Sequence, residues 1–326
     1  MHVCIVYPKT IPVVKYGGIQ RIVWWLGKEL VRRGHQVTYL VGEGSSCPFA
    51  EVLVYQESQN MNAQIPESAD VVHLYVPPPE PLRKPYLIHM ESNTRQAEHD
   101  INTVFVSQRH AARHGATCFV YNGLDAEDYV PPTLSNKKNY LHFLGKAAWR
   151  VKNVRGAIRI AQRSKIPLHV LGGDRLNFHM GFRFTPDPRI RFHGMVGGPK
   201  KDALLDASQG LLFPVVWHEP FGIAITESMF YGCPVFATPY GSLPELVDQD
   251  SGVLSDRQSE LVEALRRAPQ FDAKKIHERV MDCFSVGPMV VSFLRLYEKI
   301  LNGEPLNAKK PTHPTDGPVP LPFYED

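Results

Sequence analysis

His2-Val3-Cys4-Ile5-Val6-Tyr7, then Tyr16-Gly17-Gly18, then Gln36-Val37-Thr38-Tyr39-Leu40-Val41 read as strand, glycine loop and strand. Between the loop and the second strand, Ile19, Ile22, Val23, Leu26, Leu30 and Val31 recur at steps of three and four, the period of one helix face. Gly34 stops that helix where the chain needs positive φ, and His35 belongs to the turn. Strand, helix and strand in this order make a βαβ unit, which commits the chain to a parallel sheet with helices on its faces. The pair Trp24-Trp25 lies on this helix at a spacing that suits partial burial, although its aromatic surface also suits an acceptor or a membrane.

Further short apolar runs at Val52–Tyr55, Asp70–Val76, Tyr86–Met90, Thr103–Val106 and Cys118–Tyr121 extend the series of strands. From Asp125 to Asn139 the composition turns polar and proline-bearing, as in a linker. A second series follows: strand Tyr140–Leu144, a helix over Val154–Ser164, strands Leu168–Leu171, Ile190–Phe192 and Gly210–Pro214, a helix opening near Gly222, and strand Val235–Ala237. Helical segments at Ala273–Phe284 and from Pro288 to Leu301 precede a tail with six prolines, which reads as an irregular strap or as disorder. Two consecutive α/β domains direct attention to the carboxyl ends of their strands, where such sheets bind ligands.

A chain of 326 residues with 43% hydrophobic composition has room for two buried cores, which excludes wholesale disorder. Lys and Arg exceed Asp and Glu by 36 − 33 = +3, too small a surplus for a general nucleic-acid or membrane binder. The five cysteines are scattered and form no C-x-x-C, so neither a disulfide framework nor a zinc site is expected. No apolar run is long enough to span a bilayer, and Met1 leads directly into a strand rather than a signal peptide. The expectation is a soluble protein of the cytoplasm, with membrane association at most peripheral.

The chemistry concentrates in Trp217-His218-Glu219-Pro220-Phe221-Gly222-Ile223-Ala224-Ile225-Thr226-Glu227-Ser228. Pro220 and Gly222 set a tight loop before a helix, so the N–H groups of Phe221, Gly222 and Ile223 lie near a helix N-terminus, where phosphate binds well. Glu219 and Glu227 are eight positions apart, so at about 1.5 Å of rise per residue their carboxylates are roughly 10 Å apart. That is too far to share a proton and suits two ends of one ligand, Glu219 on a sugar and Glu227 on a ribose. Taken singly, Glu219 favours the helix dipole and Glu227 is a solvated helix residue.

Glu219-Pro220-Phe221-Gly222, Glu227-Ser228-Met229 and Gly232-Cys233-Pro234-Val235 together closely resemble the E-x7-E signature of the retaining enzymes of glycosyltransferase family 4. The resemblance extends in order from Gly17-Gly18 to about Leu301. It implies the GT-B fold, two Rossmann-like doubly wound α/β domains facing across a cleft. Residues 1–130 would form the acceptor-side domain, 131–301 the donor-side domain, whose last helices can cross back, and 302–326 a Pro-rich tail.

By the same resemblance, the amides of Gly17 and Gly18 approach the donor diphosphate or the transferred sugar. Gly145-Lys146 and Lys152-Asn153 look like the family's diphosphate grip, with Lys146 a point charge where arginine is usual. Arg150 and Arg155 stand near enough in sequence to share that duty. His89 resembles the histidine that contacts the donor sugar, with His73 a secondary match. Loops at Gly172-Gly173-Asp174 and His193-Gly194-Met195-Val196 match the family's second-domain loops, and Met195 and Val196 are candidate base contacts. The loop Pro239–Glu245 matches one behind the donor site and receives no role.

The resemblance implies a retaining transfer from a nucleotide diphosphate sugar to a hydroxyl of a glycan, a lipid-linked sugar or a small metabolite. Lys146, Lys152 and the Gly222 loop would stabilise the diphosphate, Glu227 would hold the ribose, and Glu219 and His89 the sugar near its anomeric carbon. No D-x-D stands beside a strand, and Asp248-Gln249-Asp250 follows the donor motifs in a turn, so no metal is expected; no cofactor is expected either, and the small net charge speaks against a nucleic-acid partner. Two alternatives stay open: another GT-B sugar-nucleotide enzyme such as an epimerase, and a sugar-nucleotide-binding protein without turnover.

Overall fold

The computed structural model describes residues 1–13, 17–93, 97–135, 137–178, 180–314 and 320–326; Tyr16 of the first glycine loop, Asn136 of the linker and Pro318 of the tail lie outside them. The chain divides into two compact units. The first comprises residues 1–13, 17–125 and 284–314, and the second residues 126–283 and 320–326.

In the first unit the chain runs β1 (His2–Tyr7), α1 (Gly18–Arg32), β2 (Gln36–Val41), β3 (Glu51–Val54), α2 (Met61–Gln64), β4 (Val71–Leu74), β5 (Tyr86–Met90), β6 (Thr103–Phe105) and α3 (Gln108–Arg113). The strands form one parallel sheet in the order β3-β2-β1-β4-β5-β6. Central β1 is buried along its whole length, as expected of a continuous apolar run covered on both faces. Helix α1 buries Ile22, Val23, Leu26 and Leu30 of the face its periodicity marks, with Ile19 and Val31 half-buried, and the chain leaves it through Gly34 at φ 84°. Trp25 is in the core, while half-buried Trp24 packs edge-on against Phe49. The run Cys118–Tyr121 forms no strand of its own; Phe119 makes a single bridge to Phe105 beyond the edge of the sheet.

The second unit continues with β7 (Leu141–Leu144), α4 (Val154–Ser164), β8 (Leu168–Leu171), β9 (Leu176–Asn177), β10 (Arg183–Phe184), β11 (Ile190–Phe192), α5 (Gly198–Asp206), β12 (Leu211–Phe213), α6 (Ile223–Phe230), β13 (Val235–Ala237), α7 (Leu243–Leu246), β14 (Gly252–Leu254), α8 (Gln258–Ala264) and α9 (Ala273–Cys283). Its main sheet is again parallel, in the order β11-β8-β7-β12-β13-β14, and β9 and β10 form a separate antiparallel hairpin. Leu141, Phe143, Leu168, Val170 and Ile190 of the sheet pack with Ala157, Ile160 and Ala161 of α4 and Leu261 of α8 in one core.

Helix α10 (Val286–Leu301) belongs to the first unit. Its period of three and four is visible in the sequence, but its partner is not: Met289, Val290, Phe293, Tyr297 and Ile300 are buried, and the helix packs on α1 and β5. Residues 307–314 then lie along the same unit. Asn307 bonds four backbone groups, those of Ile101, Thr103, Thr117 and Cys118, and Thr312 pairs with Glu98.

Candidate active site

In the second unit the strand order reverses between β7 and β12, since β8 and β11 lie to one side of β7 and β12, β13 and β14 to the other. Open α/β sheets bind ligands outside the carboxyl ends of their strands at such a switch point. The loop after β7 carries Gly145 and Lys146, and the loop after β12 leads to Glu219 and Gly222. Backbone bonds draw the neighbouring loops together: Ala147 N–H donates to Gly172 O, and Gly172 N–H to Gly194 O. Gly145, Gly172-Gly173 and Gly194 thus form one rim, followed by exposed Met195 and half-buried Val196.

Lys152 and Glu219, 67 positions apart in sequence, meet at this rim: Nζ lies 2.6 Å from Oε2. Local structure explains the meeting. Asn153 adopts left-handed φ 52°, caps α4 by accepting from Gly156 N–H, and donates through Nδ2 to Pro214 O, while Val216 N–H bonds Val151 O. These bonds tie the start of α4 to the end of β12 and fix where Lys152 can point. Trp217 Nε1–H donates to the same Glu219 oxygen at 2.7 Å, and the ammonium lies over the rings of Trp217 and Phe213. Such an ammonium is shielded from water yet neutralised, and an incoming anion would find it pre-positioned.

Gly222 caps α6 at φ 101°, a conformation that L side chains rarely adopt, and places Ile223 at the first helical position with Phe221 buried beneath. Behind this turn, Ser242 N–H donates to Glu219 O and its Oγ to Phe221 O. A Cβ on Gly241, which sits at φ 61°, would strike the Glu219 backbone. The loop 239–245 is therefore a template for the Glu219 turn.

Glu227, one face farther along α6, does not meet Lys152 directly. Its Oε1 accepts from Lys201 Nζ of α5 at 2.5 Å and from Tyr129 O–H at 2.8 Å, and the Lys201 ammonium lies over the Tyr129 ring. Neither Lys201 nor Tyr129 figures in the reading of the sequence. Gly197-Gly198-Pro199 is a helix-start signal that would have placed Lys201 on a helix, but nothing in the spacing pairs it with Glu227. Lys146 is exposed, with its ammonium over the Trp149 ring, and Arg150 and Arg155 donate to carbonyls of the β9–β10 hairpin.

Gly17, Gly18 and His89 are in the first unit. Gly17 caps α1, whose first turn begins at Gly18 after the carboxyl end of β1. His89 is sealed inside the unit, in a chain of contacts from Tyr297 Oη to His73 Nδ1 at 2.7 Å and from His73 Nε2 to His89 Nδ1 at 3.2 Å. Its Nε2 faces Glu91 Oε1 at 3.5 Å, and Glu91 Oε2 accepts from Asn122 Nδ2 at 2.7 Å. Burial lowers the His89 imidazole to about 3 and pushes the Glu91 carboxyl up to about 8, against the pull of Asn122. Near neutrality the two are imidazole and carboxylic acid, not an ion pair.

Among the described residues, no three His, Cys, Asp and Glu side chains are grouped as a metal would need, and no helix is long and apolar enough to cross a membrane. Residues 138–269 match the family model Glycosyl transferases group 1. O-antigen chain mannosyltransferase B of Escherichia coli is 29% identical to the chain over 153 residues, 40% of this chain and 39% of that protein. The chain thus spans about two fifths of the length of the curated relatives it matches. AviGT4, a glycosyltransferase involved in avilamycin A biosynthesis, superposes with a TM-score of 0.74 at 19% identity over 93% of this chain and 98% of its own. Anabaena Alr3699/HepE in complex with UDP-glucose gives 0.62 at 15% identity, over 93% and 99%. The two parallel-sheet Rossmann-like units are those of the GT-B glycosyltransferase fold.

Proposed function

We propose that the chain is a retaining glycosyltransferase of family 4 that moves a sugar from a nucleotide diphosphate sugar to an acceptor hydroxyl without a metal. The observation behind this reading is the Lys152–Glu219 pair at the switch point of the second unit, next to the N-terminus of α6 and ahead of Glu227 on the same helix. The second unit would hold the donor and the first unit the acceptor, a glycan, lipid-linked sugar or small metabolite.

In this mechanism Lys152, Lys146 and the first-turn N–H groups of α6 stabilise the charge that grows on the departing diphosphate, the task a metal performs elsewhere. Glu227, buried and held by Lys201 and Tyr129, accepts from ribose hydroxyls. Glu219 accepts from a sugar hydroxyl and is kept in place by Trp217. Met195 and Val196 border the base. A phosphate oxygen of the donor takes the acceptor proton as the new bond forms on the face that the phosphate leaves. For His89 to meet the sugar, its sealed Nε2 must be uncovered, and the amides of Gly17 and Gly18 are the proposed contacts to the diphosphate or the transferred sugar.

Since one fold relative binds UDP-glucose and one sequence relative is named a mannosyltransferase, the test is a thermal-shift panel of UDP, GDP, ADP and TDP with their glucose and mannose conjugates. A ligand that binds only the native state raises the melting temperature. One base family is expected to do so, the shift being lost in Glu227→Ala and Lys152→Ala and unchanged by EDTA. Release of free nucleoside diphosphate only with acceptor present separates transfer from epimerisation. No shift with any nucleotide at millimolar concentration would sink the proposal.

A further inference from the structure

The hairpin of β9 and β10 is folded inside out. Its register sets Arg183 opposite Asn177 and Phe184 opposite Leu176, so with alternating faces Leu176, Phe178, Phe182 and Phe184 share one side. The Phe178 and Phe182 rings confirm it, with centroids 5.8 Å apart. That side is in water: Leu176 is 48% exposed, Phe178 71%, Phe182 62% and Phe184 56%, with Met180 at the turn 59%. The charged residue is the one turned inward. Arg183 is buried, its guanidinium over the Phe192 ring, donating to Asp174 O and Thr185 Oγ1. An apolar patch of this kind marks a surface awaiting a partner.

Its charge surroundings say which. From Arg175 to Pro186 the sequence holds no carboxylate. Exposed Arg150 and Arg155 flank the hairpin, Arg150 Nε donating to Met180 O at 2.7 Å and Arg155 to Phe182 O, and each guanidinium has further N–H donors. Asp174 and Asp187 stand only at its base, and Asp187 is occupied by Arg189 and Gln162. Phenylalanines presented beside guanidinium groups fit a layer with anionic phosphate outside and hydrocarbon beneath. A second copy fits worse, because a twofold contact through this face would set like arginine pairs against each other.

We propose that the hairpin Leu176–Phe184 docks this protein on membranes bearing anionic lipid headgroups. The apolar side chains enter the acyl boundary while Arg150 and Arg155 bind lipid phosphates, so that attachment is peripheral and salt-sensitive.

The test is flotation of the full chain with vesicles of phosphatidylcholine, with or without phosphatidylglycerol. Binding is expected on the anionic vesicles only, and the double substitution Phe178→Ser, Phe182→Ser should reduce it roughly tenfold with the melting temperature unchanged. Phe182→Trp provides a readout that needs no loss of folding: its emission should shift to the blue on anionic vesicles. Failure of the wild-type chain to float with anionic vesicles, or an unshifted emission, overturns the proposal. So does a dimer abolished by the double substitution in a chain that ignores vesicles, since the face would then be a self-interface.

Discussion

Glu91 shows how a single buried group shapes the pH response of its unit. Its carboxyl faces His89, Asn122, Tyr7 and Tyr75, and burial raises it to about 8 from an ordinary 4.5. Between those values the folded state keeps a proton that the unfolded state releases, so this group removes stability as pH rises through the window. His89, lowered to about 3 from 6.5, acts oppositely and removes stability as pH falls below 6.5. Glu91→Gln abolishes only the first effect. Its melting temperature relative to wild type should therefore climb from pH 5 to pH 8 in buffered thermal melts; a difference that is flat with pH would refute the assignment. At this scale, legibility was uneven. Glu219, Glu227 and Lys152 stand in strings that announce them, but Tyr129 and Lys201 reach Glu227 across 98 and 26 positions from a linker and from a helix without apolar period. Local pattern has no access to such a pair.

Among the elements, the strands of both sheets except β14 were readable, because parallel strands covered on both faces are short, uninterrupted apolar runs, whereas β14 at the sheet edge is only three residues long and partly buried. The β9–β10 hairpin lies outside the strand series read from the sequence, although Leu176, Phe178, Phe182 and Phe184 alternate with polar residues. Alternation marks a two-faced strand but not which face meets water, and here the usual answer is reversed. The loop 239–245 illustrates another gap: its function is to shape a turn twenty residues away, and no motif states that. Gly241→Ala must push its Cβ into the Glu219 backbone at a left-handed φ, at a cost of about 1–3 kcal/mol. In urea titrations the variant should be destabilised by that amount, and its nucleotide-induced thermal shift should fall with it. A variant that retained both would show that this loop does not template the site.

For the molecule as a whole, the chain's path matters more than its list of strands. Asn307, 3% exposed, satisfies two N–H and two C=O groups of the first unit from a position more than 180 residues distant. Each such group left unpaired costs about 1–3 kcal/mol, part of which water entering at the strap offsets. Asn307→Ala should lower stability by about 3 kcal/mol and accelerate limited proteolysis within residues 302–314; an unchanged cleavage pattern would mean that the strap is held by its other contacts.

The assignment of residues 284–314 to the first unit also has a consequence during synthesis. A nascent chain that has reached Asp125 still lacks α10, so the faces of α1 and β5 that this helix covers remain open while residues 126–283 are made. At roughly 5–20 residues per second, that interval lasts about eight to thirty seconds. The ribosome therefore releases an unfinished first unit beside a second one already under construction, and chaperone demand should peak there and fall once α10 emerges.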